Sequence, residues 1–203
     1  MKKNLIFCLA LVAVMASCVK EPHIYRLLTD EEAAIVPYQM GQTIRMCNQD
    51  GDTLCFTVVH DTTFITHDYY DAHYYPSEKM SIEPRPYFYA REVVLQSPPE
   101  DSCLLRCIVI PEKIVTVTYE KPRLAHDNHG DFYYWHNILG RALHLNDLPT
   151  TTFTIGETTY ENVHVDQGAY TTDSTEVSYA WYYSEEVGLI AVKDKEHSLT
   201  LLP

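Results

Sequence analysis

From about residue 41 to the C-terminus the apolar side chains tend to recur at every second position, and this alternation most limits what the chain can fold into. Thr53–His60 (TLCFTVVH), Tyr87–Gln96, Leu104–Ile110 and Ile114–Tyr119 are rich in β-branched and aromatic residues, which suit a pleated, half-buried surface. Turn chemistry separates them at Asp50-Gly51, Pro84 to Pro86, Pro98-Pro99 and Pro111. A second block reads as successive antiparallel strands: Phe153–Ile155, Thr159–Val165, Val177–Ser184, Gly188–Lys193 and Ser198–Leu202. Ser184 to Gly188 form the turn between its third and fourth strands. The expectation is a mainly β fold of twisted antiparallel sheets, either a sandwich or an open, barrel-like form.

Outside these blocks the pattern changes. Thr29-Asp30-Glu31-Glu32 has the form of a capping box, with Thr29 as N-cap and Glu32 at N3. It should open a short helix through Ala33–Ile35 that Pro37 ends. Residues 61–83 are polar and aromatic, consistent with a long hairpin arm. Residues 121–150 hold four of the ten histidines with few clean periods, so they read as a His-rich connector between halves 29–120 and 151–203. A short helix is expected over His136–Leu145. No repeat at fixed spacing, heptad or low-complexity tract is present.

The N-terminus reads as a targeting segment. Lys2 and Lys3 precede an apolar run, Leu5 to Met15, followed at once by Ala16, Ser17 and Cys18. A short basic region, an apolar stretch too short to span a bilayer, and small residues before a cysteine are the marks of a lipoprotein leader. Residues 1–17 are the expected signal peptide, Cys18 the lipid-bearing first residue of the mature protein, and 18–28 a tether into one β-rich domain, 29–203. Met15 stands where a lipobox most often has Leu. Several acyl chains hold a protein on a membrane durably where one does not. No acidic cluster directly follows Cys18, so a periplasm-facing place at the outer membrane is the default and the cell surface the alternative.

The lipobox, the helix ending at Val36-Pro37-Tyr38 with Gly41, the GDTLCFTV stretch (Gly51 to Val58), Tyr160-Glu161-Asn162-Val163, Trp181-Tyr182-Tyr183-Ser184 and Gly188-Leu189-Ile190 together resemble small secreted lipoproteins of the Bacteroidetes type. The resemblance covers most of the mature chain in style. It implies an envelope location and β architecture, and brings no catalytic residues with it.

Formal charge is −13, and losing Lys2 and Lys3 with the leader makes the mature chain more acidic still. Such a chain is repelled by polyphosphate, which argues against a nucleic-acid partner. With 46% hydrophobic residues it can bury a core. Cys47, Cys55, Cys103 and Cys107 remain in the domain, an even number in an oxidising compartment. Cys47 and Cys55 could face one another across the Asn48–Asp52 turn and form a disulfide. Cys103 and Cys107 lie about 13 Å apart if extended and should not bond to each other. All four could equally be small buried hydrophobes.

The sharpest chemical candidate is His126, Asp127, His129, Asp131 and His136, because imidazole and carboxylate suit zinc or another divalent ion. The spacing fits no known catalytic pattern, and a solvated His-rich loop is the plain alternative. His67, Asp68, Asp71 and His73 form a weaker cluster. No GxSxG elbow occurs. The 16 tyrosines come partly in runs; Tyr133, Trp135, Trp181 and Tyr183 could face a lipid or glycan, or pack on the sheet. Three functions follow: a non-enzymatic binding or scaffolding domain without cofactor, with a lipid, glycan or envelope protein as partner; a metal-assisted hydrolase using residues 126–136; or a fimbrial-type assembly subunit. The first is favoured.

Overall fold

The computed structural model describes residues 24–66, 87–98, 103–127, 130–172, 175–194 and 197–203. The leader, Cys18 and the His67–His73 cluster lie outside the described residues, as does His129. Chain order is β1 (Ile24–Arg26), α1 (Asp30–Ala34), β2 (Thr43–Asn48), β3 (Thr53–Thr66), β4 (Tyr87–Gln96), β5 (Leu104–Ile110), β6 (Ile114–Asp127) and β7 (Gly130–His144). A 3-10 turn (Leu145–Asp147) leads to β8 (Thr150–Ile155), β9 (Thr158–Thr172), β10 (Thr175–Ser184), β11 (Gly188–Lys193) and β12 (Ser198–Leu201).

Strands β2 to β12 form one antiparallel sheet in the order β7-β6-β5-β4-β3-β2-β12-β11-β10-β9-β8. Each strand pairs with its neighbour in sequence, except that β12 pairs with β2 and β7 does not pair with β8. The sheet curls into a half-barrel with β7 and β8 at its margins. This is the open, barrel-like form of the two anticipated.

The capping box forms as expected. The Thr29 hydroxyl accepts from the Glu32 N–H at 3.2 Å, and the Glu32 carboxylate accepts from the Thr29 N–H at 3.0 Å. Helix α1 and residues 35–38 enter the curled sheet at one end, next to the turn after β5 and the start of β11. Ile35, Val36 and Tyr38 join a core shared by both sequence blocks, with Phe56, Met46, Leu105, Leu143, Tyr183 and Leu199 among its buried members. Removing a large apolar side chain of this kind from water contributes about 1.5–3 kcal/mol. The N-terminal segment is therefore a plug at what is here termed the plug end. The turn after β2 marks the far end.

Several expectations are corrected. Residues 121–150 are not a connector, and His136–Leu145 is not a helix: β6 and β7 run through them as a long hairpin. Leu139, Leu143 and Leu145 are buried two or four residues apart, a strand period interrupted by half-exposed Arg141. Cys47 stands opposite Thr53 and Cys55 opposite Arg45, so the two cysteines are offset across the hairpin rather than facing. All four cysteines are free thiols, with Cys103 and Cys107 buried. Trp181 and Tyr183 are core residues, 4% and 0% exposed, and do not face a ligand. Tyr182, between them, lies on the other face against Phe153, with ring centroids 4.4 Å apart.

Candidate functional site

Two polar constructions interrupt the otherwise apolar interior. The first fastens the plug. Arg91 lies in the middle of β4, and its guanidinium donates to the carbonyls of Ala33 (2.7 Å), Val36 (2.8 Å) and Tyr38 (3.0 Å). The same group pairs with both carboxylate oxygens of Asp61 on β3, at 2.8 and 2.9 Å. One planar fork thus satisfies a carbonyl of the helix's last turn and two of the segment that follows it. Its hydrogen bonds and charge hold the Asp61 carboxyl below its ordinary value, and Asp61 in turn raises the Arg91 pKa.

Two phenols complete the fastening. The Tyr183 hydroxyl donates to the Ile35 carbonyl at 2.9 Å, and the Tyr38 hydroxyl accepts from the Leu189 N–H at 2.8 Å. Burial pushes both phenols and the Cys107 thiol upward, the thiol to about 12. Glu32 accepts from the Glu112 N–H at 2.9 Å and pairs with Arg26 at 2.8 Å. Burial raises its carboxyl, but the N–H groups of Thr29 and Glu112 and the Arg26 charge outweigh that and leave it lowered. Glu112 and Lys113 both take left-handed backbone, with φ of 72° and 57°. Such conformations cost non-glycine residues about 1–2 kcal/mol, and the Glu32 contact is one of the bonds that hold this turn.

The second construction spans the opening of the half-barrel. Strand β8 pairs with residues 158–164 of β9, beyond the plug end. The Val165 N–H still donates to the Pro149 carbonyl at 2.9 Å, and the remainder of β9, from Asp166 onward, pairs only with β10 among the described residues. This stretch of β9 and the outer edge of β7 bound a seam that no ladder closes. Arg141 of β7 reaches across it: Nε donates to the Asp166 carboxylate and Nη2 to the Tyr179 hydroxyl at 2.8 Å. The guanidinium also lies over the Tyr179 ring, 4.6 Å from its centroid, a cation–π arrangement. Tyr179 in turn lies across Gly168 on the neighbouring strand. A Cβ there would meet the phenol oxygen at 2.8 Å, so a side chain at this position would displace the ring.

Nearer the plug end, Lys113 pairs with Glu185 at 3.0 Å, tying the turn after β5 to the turn after β10. His164 approaches Glu185 through Nε2 at 3.3 Å, and its Nδ1 is buried without a partner among the described residues. Gln167, Gly168, Ser178, Tyr179, Ala180 and Lys193 line a shallow recess of about 510 Å³ beside the seam.

The sequence candidates fare differently. Backbone pairing sets His126 opposite Asp131, while His136 lies opposite Lys121. Asp131 and His136 are then about 17 Å apart along β7, too far for one coordination sphere, so the expected ligands do not converge as a set. The side chains of His126, Asp131, Tyr133, Trp135 and His136 lie outside the described residues. No group of three metal-ligating residues occurs among those described. Arg91 and Arg141 were not singled out in the sequence, although a lone arginine inside an apolar strand was there to be read. Comparison with protein-family models, curated proteins and solved structures returns no match.

Proposed function

We propose that this chain is a lipid-anchored envelope protein whose half-barrel is a non-enzymatic scaffold, taking up an extended segment of a protein partner along the seam. The observation that carries the reading is the unladdered stretch between β7 and β9, bridged by Arg141, Asp166 and Tyr179. An Arg–Asp side-chain bridge spans a backbone separation wider than that of hydrogen-bonded neighbouring strands, in keeping with edges held near one another without a ladder. Two facing strand edges offer N–H and C=O groups that an extended peptide satisfies along its length. Among the described residues, large side chains from the plug and the sheet pack together in the interior. The membrane address rests on the leader and Cys18, and an outer-membrane, periplasm-facing place remains the working assignment.

The test is a photo-crosslinking residue at Gln167, exposed on β9, in the lipoprotein expressed in its native envelope. A second chain carries it at Gln49 in the far-end turn. The reading expects an adduct to a defined segment of one envelope protein from position 167 alone. An adduct to a second copy would make the chain an assembly subunit. Equal labelling from both positions, or none from 167, would remove the seam as the binding surface. Cys18→Ser should move the protein from the membrane to the soluble fraction, and continued membrane retention would remove the lipid anchor.

A further inference from the structure

We infer that the plug end of the half-barrel lies directly on the bilayer, against zwitterionic headgroups, with the far end directed away. The inference rests on the lipid-anchored reading above. Six peptide steps separate Cys18 from Ile24, the first described residue of β1. A fully extended chain covers at most about 3.6 Å per residue, so the anchor lies within about 22 Å of β1. Strand β1 pairs with β4 at Tyr87 and Phe88, outward of the residues that pair with β5, and leads straight into the plug. The tether thus reaches the domain at the plug end.

An independent observation marks the same end. Among the described residues the exposed large apolar side chains are Leu27, Met40, Val59 and Ile65, between 49% and 60% exposed. Leu27 follows β1. Met40 precedes Gly41, whose N–H donates to the Val58 carbonyl at 3.0 Å, so Met40 borders the bulge that expels Val59 from the β3–β4 register. Ile65 stands opposite Tyr89, farther out on the same arm. Leu27 and Ile65 thus lie near the β4 residues that pair with β1, and Met40 and Val59 about 20 Å back along β3, where the chain leaves the plug for β2. The far-end turn between β2 and β3 carries Gln49, Asp50 and Asp52 instead.

Single exposed apolar residues need no explanation, but four along the plug segment and the adjoining stretch of β3, beginning where the anchor enters, are suited to the boundary between headgroups and acyl chains. Asp30 and Glu31 are exposed at this end and the chain is acidic overall, which selects zwitterionic over anionic lipid.

The test is hydrogen exchange, read by mass, on the full lipidated chain in vesicles of phosphatidylcholine and phosphatidylethanolamine, with the Cys18→Ser chain free in solution as reference. Intact mass first establishes whether Cys18 carries lipid. If it does not, the lipoprotein reading fails and the orientation fails with it. With lipid present, peptides covering 27–42 and 58–66 should exchange at least about threefold slower on vesicles, and the peptide covering 48–54 should not change. Slowing at the far end, or none at either end, in a lipidated chain would overturn the orientation and leave the anchor standing. A lipidated Leu27→Asp, Met40→Asp chain should lose the slowing over 27–42. Its retention would show that these side chains do not meet lipid.

Discussion

Replacing Tyr38 with Phe and, separately, Tyr183 with Phe compares the two phenols that fasten the plug, and the structure assigns them unequal costs. Tyr38 accepts a hydrogen bond from the Leu189 N–H, and Leu189 is fully buried. Without the hydroxyl that donor has no partner, and a buried unsatisfied N–H costs about 1–3 kcal/mol. Tyr183 donates to the Ile35 carbonyl, and an under-satisfied carbonyl is tolerated more readily than an orphaned N–H. Neither change leaves a void larger than an oxygen atom. We expect about 2 kcal/mol for Tyr38→Phe and about 1 kcal/mol for Tyr183→Phe. With a urea slope of about 2–3 kcal/mol/M, the midpoint for residues 19–203 should fall by about 0.7–1 M in the first and about half that in the second. Both phenols act on residues 35–38, so the double variant should depart from the sum. A Tyr38→Phe cost below about 0.5 kcal/mol, or a greater cost for Tyr183→Phe, would refute the assignment of donor and acceptor.

Arg91→Met should destabilise by about 3–5 kcal/mol, because it strands Asp61 together with three backbone carbonyls. A melting temperature lowered by about 10 °C or more would agree, and one unchanged within about 2 °C would not. Stability should also depend on acid through Asp61 and Glu32, whose folded values lie below the ordinary 3.8 and 4.5. Their contribution is present above those ordinary values and is lost as pH falls through the lower folded ones. The urea midpoint of the native chain should therefore drop more steeply below about pH 4.5 than that of Asp61→Asn. Iodoacetamide at pH 8 should label Cys47 and Cys55 in the folded chain and all four domain thiols only after unfolding, since Cys103 and Cys107 are buried. Failure to label after unfolding without reductant would reveal disulfides instead. Gly188→Ala should destabilise by more than about 1 kcal/mol, because its φ is +82° and a Cβ would run into the Tyr38 phenol.

The strands of the second block and most of those in the first were legible because alternation, β-branched residues and turn chemistry coincide there. The capping box was legible for a similar reason, since its two hydrogen bonds are local and both partners lie within four residues. What escaped was set by distant pairing. That β12 closes on β2, and so curls the sheet, depends on residues about 150 positions apart and leaves no local trace. The cysteine pair failed by two residues of register, which hairpin length alone does not fix. The aromatics at 181–183 followed the alternation rule, with Tyr182 on one face and its neighbours in the core, and it was their reading as ligand-facing that burial overturned.

Arg141 explains both the misread strand and the seam. It takes the inward position between Leu139 and Leu143, where a large aliphatic residue would have kept the period of two unbroken. Closing the ladder between β7 and β9 would bury this guanidinium and Asp166, and burying an ion pair costs several kcal/mol per ion before the attraction is counted. With the seam open Arg141 stays 38% exposed while Asp166 is 14% exposed, so the cation keeps part of its hydration and still meets its partner. Tyr179 covers the guanidinium from the sheet side, and Gly168 leaves the space for that ring. The residue that obscures β7 in the sequence is thus the one whose charge disfavours closure of the barrel.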